Sequence, residues 1–160
     1  YPSRVEYLEA VDWPTDDVVL SGNWSALEDD SPLASFLGHP KDECFPNDLA
    51  AGLYRGARSS LNLYRKEATH ADLVDGWAMG PREVELAACG CFYLTEERGE
   101  NREVLPMVPT VDGPADFSEK LRWFLAHPKE REDAGRRACD AIVDRTFDVS
   151  VRRLLKLVGA

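Results

Sequence analysis

The fold is decided by one stretch of the sequence, GPREVELAACG at residues 80–90, followed by CFYLTE at residues 91–96. Pro81 favours the first turn of a helix, since proline has its backbone angle preset there and lacks only an amide that the turn does not use. Gly90 is predicted to take the left-handed conformation that ends a helix. CFYLTE is short and apolar, which is typical of a buried strand.

The same pattern continues on both sides of this stretch. Further strands are predicted at residues 17–20 (DVVL), 60–64 (SLNLY) and, as short extended pieces, at 35–38 and within 104–111. Helices are predicted at 48–58 with Asn47 as the cap, from Asp116 or Ser118 to 126, at 129–145 and at 150–157. Strands that alternate with helices predict an α/β fold with a parallel sheet covered on both faces.

Ligands of parallel sheets bind at the carboxyl ends of the strands. In this chain those ends lead into the loops at residues 21–24, 65–80 and 96–102. We therefore expect the functional residues on these three loops.

The composition and charge of the chain argue against several classes of function. The chain has 160 residues, of which 19 are basic and 29 acidic, so that its net charge is −10. This charge argues against a broad grip on nucleic acid, and no apolar run is long enough to span a membrane. No signal peptide is visible. The four cysteines lack the C-x-x-C spacing of a zinc or redox site, and the three histidines are scattered. Free thiols favour a reducing, cytoplasmic setting, and neither a metal site nor a bound cofactor is expected.

The start of the helix after Gly80 is the best candidate for a chemical site. A helix N-terminus offers free amides and a partial positive charge, which suit a phosphate. The amides of Arg82 to Val84 are the candidate donors, and the guanidinium of Arg82 can add a forked pair of hydrogen bonds to a diphosphate. Glu85 lies on the same helix face and can accept hydrogen bonds from ribose hydroxyls. An equally simple alternative is that the acidic residues stabilise the helix dipole and that Arg82 only pairs with Glu85.

Three blocks of the chain resemble a known family. They are LYRGARSSLNLYR (53–65), GPREVELAACGCFYLTEERGE (80–100) and ADFSEKLRWFLAHPKEREDAGRRA (115–138). Their order and spacing resemble the spore-maturation CgeB-like group of GT-B glycosyltransferases. The resemblance implies a Rossmann-like C-terminal lobe of a GT-B fold that binds a UDP- or GDP-sugar as substrate. The implied activity is hexosyltransferase-like, the transfer of a sugar from a nucleoside diphosphate to an acceptor hydroxyl.

The resemblance also assigns roles to single positions. Glu85 matches the acidic residue that holds the ribose, and Arg82 with Glu85 would carry the catalytic role. Tyr64 and Asn23 have a structural alternative each, a packed aromatic and a turn former. The remaining positions of the implied donor site are Gly22, Asn23, Tyr64, Arg65, Gly80, Pro81, Arg82 and Glu83.

The sequence departs from the family pattern at three places, of which one is the segment between Gly22 and Gly38, shorter than expected for the first helix and second strand of the lobe. Trp77 stands eight positions before Glu85, where many retaining enzymes have an acidic residue, and Asp75 is only nearby. The basic pair expected after the first strand is missing. The alternative is therefore a degenerate, non-catalytic binding or assembly module. A dinucleotide-dependent dehydrogenase is disfavoured, because no glycine-rich turn follows the first strand.

The expected domain organisation has three parts. Residues 1–16 are expected to be a linker or a remnant of a preceding lobe, and residues 17–145 the Rossmann-like donor-binding domain. Residues 146–160 are expected to form a helix that packs toward an N-terminal acceptor-binding lobe of the same protein. The resemblance implies that the acceptor site lies on that lobe, so we expect this chain to transfer nothing on its own.

Overall fold

A three-stranded parallel sheet lies at the centre of the protein. The computed structural model describes residues 1–15, 17–67 and 76–159. The strands are β1 (Ser60–Asn62), β2 (Tyr93–Glu96) and β3 (Thr110–Val111), in the spatial order β1-β2-β3. Leu61 pairs with Leu94, and Thr95 pairs with Thr110. All carboxyl ends therefore meet at one edge of the sheet.

Helices connect and flank the strands. The residues that the structure describes form seven α-helices and one 3-10 helix. The α-helices are α1 (Pro2–Glu9), α2 (Asn47–Gly56), α3 (Pro81–Ala88), α4 (Gly99–Val104), α5 (Gly113–Ala126), α6 (Pro128–Ala141) and α7 (Phe147–Val158), and the 3-10 helix is Pro32–Phe36. Proline stands in the first turn of α3, α5 and α6, as expected of helix starts. Gly90 follows α3 with a φ of 67°, which confirms the predicted end of that helix.

Side chains of β2 and of the two residues before it alternate between two cores. Phe92 and Leu94 point to the core formed with α1 and α5, whereas Cys91 and Tyr93 point to the core formed with α3 and α6. This alternation follows from the two-residue period of a strand. Because helices cover both faces, the predicted α/β fold with a helix-flanked parallel sheet is confirmed.

Two predicted strands are absent as strands. Residues 17–20 contribute only an isolated parallel bridge from Leu20 to Leu37, and Val19 is exposed. The segment before Leu37 is a 3-10 helix because the Ser31 side chain accepts a hydrogen bond from the Leu33 amide and Pro32 begins the turn. These local interactions outweigh the β propensity of the neighbouring residues.

Residues 99–103 belong to α4, whereas the sequence predicted a loop at residues 96–102. The helix is held by Asn101, which is 2% exposed and lies inside the protein. The Asn101 side chain donates hydrogen bonds to Tyr64 and Glu83, which are distant along the chain. The local sequence therefore could not predict this helix. Smaller differences concern α2, which begins at Asn47 itself, and α5, which begins at Gly113.

The two chain ends differ in how they pack. Tyr7 and Leu8 of α1 are buried in the same core as Phe117 of α5. By contrast, α7 buries no residue, and Phe147, Leu154 and Leu157 are exposed. The predicted boundaries at residues 17 and 146 and the packing of residues 146–160 against another lobe stay predictions. Among the described helices, none is long and apolar enough to cross a membrane.

At Gly135, α6 packs closely against the residues just before β2. A Cβ there would lie 3.0 Å from the Gly90 carbonyl oxygen and 3.2 Å from the Phe92 nitrogen. We expect Gly135→Ala to lower the free energy of unfolding in urea by about 1–3 kcal/mol, because α6 must move off the strand. Gly52→Ala in α2 is the control: a Cβ there meets nothing within 4 Å, and we expect it to raise stability by about 0.5–1 kcal/mol. Equal effects of the two changes would contradict this packing.

Candidate functional site at the carboxyl edge of the sheet

The start of α3 lies against the carboxyl ends of β1 and β2. Tyr64 follows β1, and its amide donates a hydrogen bond of 2.7 Å to the Glu96 carboxylate at the end of β2. A Cβ on Gly80 would lie 3.9 Å from the Tyr64 ring. The structure therefore brings Tyr64 and Gly80 together, as expected of residues around one site.

Glu83 is the centre of a buried hydrogen-bond network. Its side chain is fully buried. Its Oε2 accepts hydrogen bonds of 2.6 Å from the Tyr64 hydroxyl and of 2.6 Å from the Gly80 amide. Its Oε1 accepts from the Asn101 side-chain amide and lies 3.4 Å from the Thr95 hydroxyl. One carboxylate thus joins α3, α4 and the ends of β1 and β2.

The burial of Glu83 changes its expected role. Its carboxylate is occupied inside the protein and is not presented to a ligand. Its amide, one of the donors expected for a phosphate, points at the Gly80 carbonyl oxygen at 3.3 Å. Glu83 therefore stabilises the start of α3. Sequence reasoning did not find this, because its partners Tyr64 and Asn101 are distant along the chain.

Tyr64 is held by this network on one side and by Arg98 on the other. Asn101 Nδ2 donates to the Tyr64 hydroxyl at 3.2 Å, and the Arg98 guanidinium lies 4.1 Å from the centre of the Tyr64 ring. Burial raises the pKa of Tyr64, and its hydrogen bond to Glu83 raises it further. The residue is therefore a neutral, fixed side chain with a polar role, not only a packed aromatic.

Arg82 and Glu85 lie on the outside of α3. Their side chains are 58% and 57% exposed, and Arg82 Nε lies 3.6 Å from Glu85 Oε2. An exposed ion pair of this kind contributes little to stability, so both side chains are available to a ligand. The Arg82 guanidinium also lies 5.9 Å from the centre of the Tyr54 ring.

Arg4 joins this site from the first helix. Its Nη2 donates to the Leu63 carbonyl oxygen at 2.9 Å, next to Tyr64. Its Nε is buried and has no hydrogen-bond partner in the described part of the chain. Burial lowers the pKa of Arg4 and the positive charge of Arg82 lowers it further, whereas the charges of Tyr1, Glu67 and Glu96 raise it. This position was not predicted, because residues 1–16 were expected to be a linker or a remnant of a preceding lobe.

The other expected site residues lie apart from the Glu83 network. The Arg65 guanidinium lies 4.4 Å from the centre of the Tyr1 ring. Gly22 has a φ of 99°, and its amide donates to His39 Nε2 at 3.1 Å. Asn23 Oδ1 accepts from the Ser25 amide at 3.1 Å, which is a local turn. Between this turn and Gly80, Tyr64 or Arg82, no hydrogen bond occurs among the described residues.

Two adjoining cavities open at the carboxyl edge. The first, of about 530 Å³, contains Trp77, Tyr64, Arg98 and Arg102 in its lining, and we call it the Trp77 groove. The second, of about 470 Å³, contains Tyr7 of α1 in its lining, and we call it the Tyr7 cavity. Lys66, Glu96 and Glu97 line both cavities. The cavities are therefore neighbours along one edge.

Trp77 is fixed at one wall of its groove. The side chain is 57% exposed, and a Cβ on Gly99 would collide with its indole ring. Asp75, the acidic residue noted near this position, lies outside the described residues. Within residues 1–15, 17–67 and 76–159, no group of three or more His, Cys, Asp or Glu side chains is arranged to hold a metal ion.

Comparison with known proteins identifies the family. A family model described as glycosyl transferase-like matches residues 4–155. The chain belongs to this glycosyltransferase-like family. It is also 25% identical, over 139 residues, to the spore protein CgeB of Bacillus subtilis (strain 168). That match covers 84% of this chain and 43% of CgeB, so the glycosyltransferase-like chain spans less than half the length of this relative. No solved structure matches it significantly.

The two carboxylates of α3 have opposite environments, which mutation can separate. We expect Glu83→Ala to lower the free energy of unfolding by about 1–3 kcal/mol, because it leaves buried donors of Tyr64, Gly80 and Asn101 without an acceptor. Glu85→Ala is the matched control, two residues away on the exposed side. It should change stability by no more than about 0.5 kcal/mol. Urea denaturation followed by circular dichroism measures both, and similar losses for the two variants would contradict the buried network.

Proposed function

We propose that this chain is the donor-binding part of a glycosyltransferase, which transfers a sugar from a nucleoside diphosphate sugar to an acceptor hydroxyl. The observation that carries the proposal is the pair of exposed side chains Arg82 and Glu85 near the start of α3, which lies against the carboxyl ends of β1 and β2. An exposed arginine in the first turn of a helix, beside the carboxyl ends of parallel strands, is suited to an anionic ligand.

The diphosphate is the part of the donor that Arg82 fits. Its exposed guanidinium can bind two phosphate oxygens at once. Negative charge builds up on the leaving diphosphate as the glycosidic bond breaks. Positive groups fixed at that place lower the barrier by stabilising this charge. In this proposal arginine side chains do this work, with no metal ion or cofactor.

Glu85 is proposed to hold the ribose. Its carboxylate is exposed beside Arg82 on the same face of α3, so that a ligand with its diphosphate on Arg82 has its ribose within reach. Vicinal hydroxyls are good donors to a carboxylate. We propose UDP or GDP as the nucleotide, with Tyr64 and Arg65 near the donor.

The acceptor is proposed to bind to an N-terminal lobe of the same protein. Family membership implies an acceptor as well as a donor. The exposed apolar side of α7, with Leu154 and Leu157, is suited to packing against that lobe. The whole protein is then the active unit, acting in the cytoplasm, and this chain alone binds the donor without transferring its sugar.

One observation favours a second candidate, a non-catalytic binding module. Trp77 stands where many retaining enzymes of the GT-B class have an acidic residue. A module of this kind would bind a nucleotide sugar and turn over none of it, even as part of the whole protein. Hydrolysis or transfer of UDP-glucose by the full-length protein would decide between the two.

Calorimetry with three ligands tests the site. We expect Arg82→Ala to weaken binding of UDP, GDP and inorganic pyrophosphate by about tenfold each, because a charge-assisted contact to the diphosphate is lost. Glu85→Ala should weaken UDP and GDP by about fivefold and leave pyrophosphate unchanged, since pyrophosphate has no ribose. Arg152→Ala on α7 is the control for loss of one exposed, paired arginine. Unchanged affinities in both Arg82→Ala and Glu85→Ala would contradict the assignment of these residues to the diphosphate and the ribose.

A further inference from the structure

Glu100 of α4 bonds to the segment of residues 76–79, which leads into α3. Its Oε2 accepts a hydrogen bond of 3.0 Å from the Met79 amide. Its backbone amide donates to the Trp77 carbonyl oxygen, also at 3.0 Å. The segment itself is neither helix nor strand, so hydrogen bonds of this kind fix its path.

The two residues before Glu100 contact the same segment. The Arg98 guanidinium donates to the Gly76 carbonyl oxygen. Gly99 leaves space for the Trp77 indole, with which a Cβ at this position would collide. The start of α4 thus contacts both the backbone and the aromatic side chain of the segment. A displacement of α4 would therefore displace Trp77 and the residues that lead into α3.

Glu100 is itself held by Arg145, which lies two residues before α7. Arg145 Nη1 lies 2.9 Å from Glu100 Oε1, so the two carboxylate oxygens have separate partners, Arg145 and the Met79 amide. The Glu100 side chain is 16% exposed, and that of Arg145 is 37% exposed. A carboxylate shielded to this degree needs its cation, because loss of one partner leaves a poorly solvated charge. Removal of Arg145 should therefore weaken the contact between Glu100 and Met79.

We propose that Glu100 is a positioning residue for the donor site and that Arg145 holds it in that role. The path of residues 76–79 determines where α3 begins and where the Trp77 indole borders the Trp77 groove. The exposed face of α3 that is proposed to bind the donor moves with that start. The inference rests on the proposed function and deepens it, because it names residues that act on the donor site without touching the donor.

The first test needs no ligand and measures the position of the segment itself. We expect Glu100→Ala to speed hydrogen exchange of the Met79 amide by about tenfold, because a charge-assisted hydrogen bond is lost. Glu100→Gln keeps an acceptor without the charge and should speed it by about threefold. With 5-fluorotryptophan in the 160-residue chain, the fluorine NMR signal of Trp77 should shift in both variants. Trp77→Phe assigns that signal, and the signals of the other tryptophans should stay in place.

The role of Arg145 is tested by combining variants. Arg145→Gln should speed Met79 exchange as much as Glu100→Gln does, and the double variant should be no faster than either, because both changes break one ion pair. Arg145→Lys keeps the charge and should restore most of the slow exchange. Arg136→Gln is the matched control, since the ion pair of Arg136 with Asp133 lies within α6. Additive effects of Glu100→Gln and Arg145→Gln would contradict the role of Arg145.

Binding of UDP, measured by calorimetry, gives the second readout. We expect Glu100→Ala to weaken it by about three- to tenfold and Glu100→Gln by about twofold, because the donor site loses its fixed position. Arg136→Gln should leave the affinity unchanged.

Three results would overturn the inference. In the first, neither Met79 exchange nor the Trp77 signal responds to Glu100→Ala. In the second, exchange of the Leu94 amide in the buried strand β2 accelerates as much as that of Met79, which is the signature of a change in global stability alone. In the third, the unmodified chain binds UDP and Glu100→Ala binds it equally well. Absence of UDP and pyrophosphate binding to the unmodified chain would instead contradict the proposed function, and Met79 and Trp77 would still decide whether Glu100 positions the segment.

Discussion

The buried carboxylate of Glu83 is the interaction on which the carboxyl edge of the sheet depends. Burial of a charge is costly unless hydrogen bonds compensate it, and here the donors come from Gly80, Tyr64 and Asn101. These donors belong to separate segments, so each segment has to keep its place for the carboxylate to stay satisfied. The start of α3 is fixed in this way, and with it the outward direction of Arg82 and Glu85.

The different environments of Glu83 and Glu85 show which features of the structure the sequence can predict. Pro81, Gly90 and the apolar residues 91–94 are local signals, and the helix and strand that they predict are present. Which carboxylate of α3 is buried is not a local property. Glu83 is buried because Tyr64 and Asn101 donate hydrogen bonds to it from other parts of the chain. The residue spacing within α3 does not indicate these donors.

The same distinction explains the remaining differences. Residues 17–20 have the composition of a strand, but strand formation needs a neighbour, and only Leu37 pairs there with Leu20. Arg4 reaches the site because Tyr7 and Leu8 hold α1 in the core. No motif near Arg4 predicts this long-range contact. The turn at Asn23 includes a local hydrogen bond to Ser25, as expected of a turn former, yet the position of this turn relative to the site could not be derived from the sequence.

Charge varies along the edge in a way that suits a ligand with unlike parts. Near β1 the edge carries Arg4, which donates to the Leu63 carbonyl oxygen, and the exposed Arg82 of α3. Near β3 the lysine of α5, Lys120, is paired with Asp116, and carboxylates outnumber lysines among the described residues that line the Tyr7 cavity. A nucleoside diphosphate sugar carries its charge on the phosphates and none on a neutral sugar. For the proposed donor, the arginine side of the edge is the part that fits the phosphates, and a net charge of −10 leaves that fit to short-range contacts.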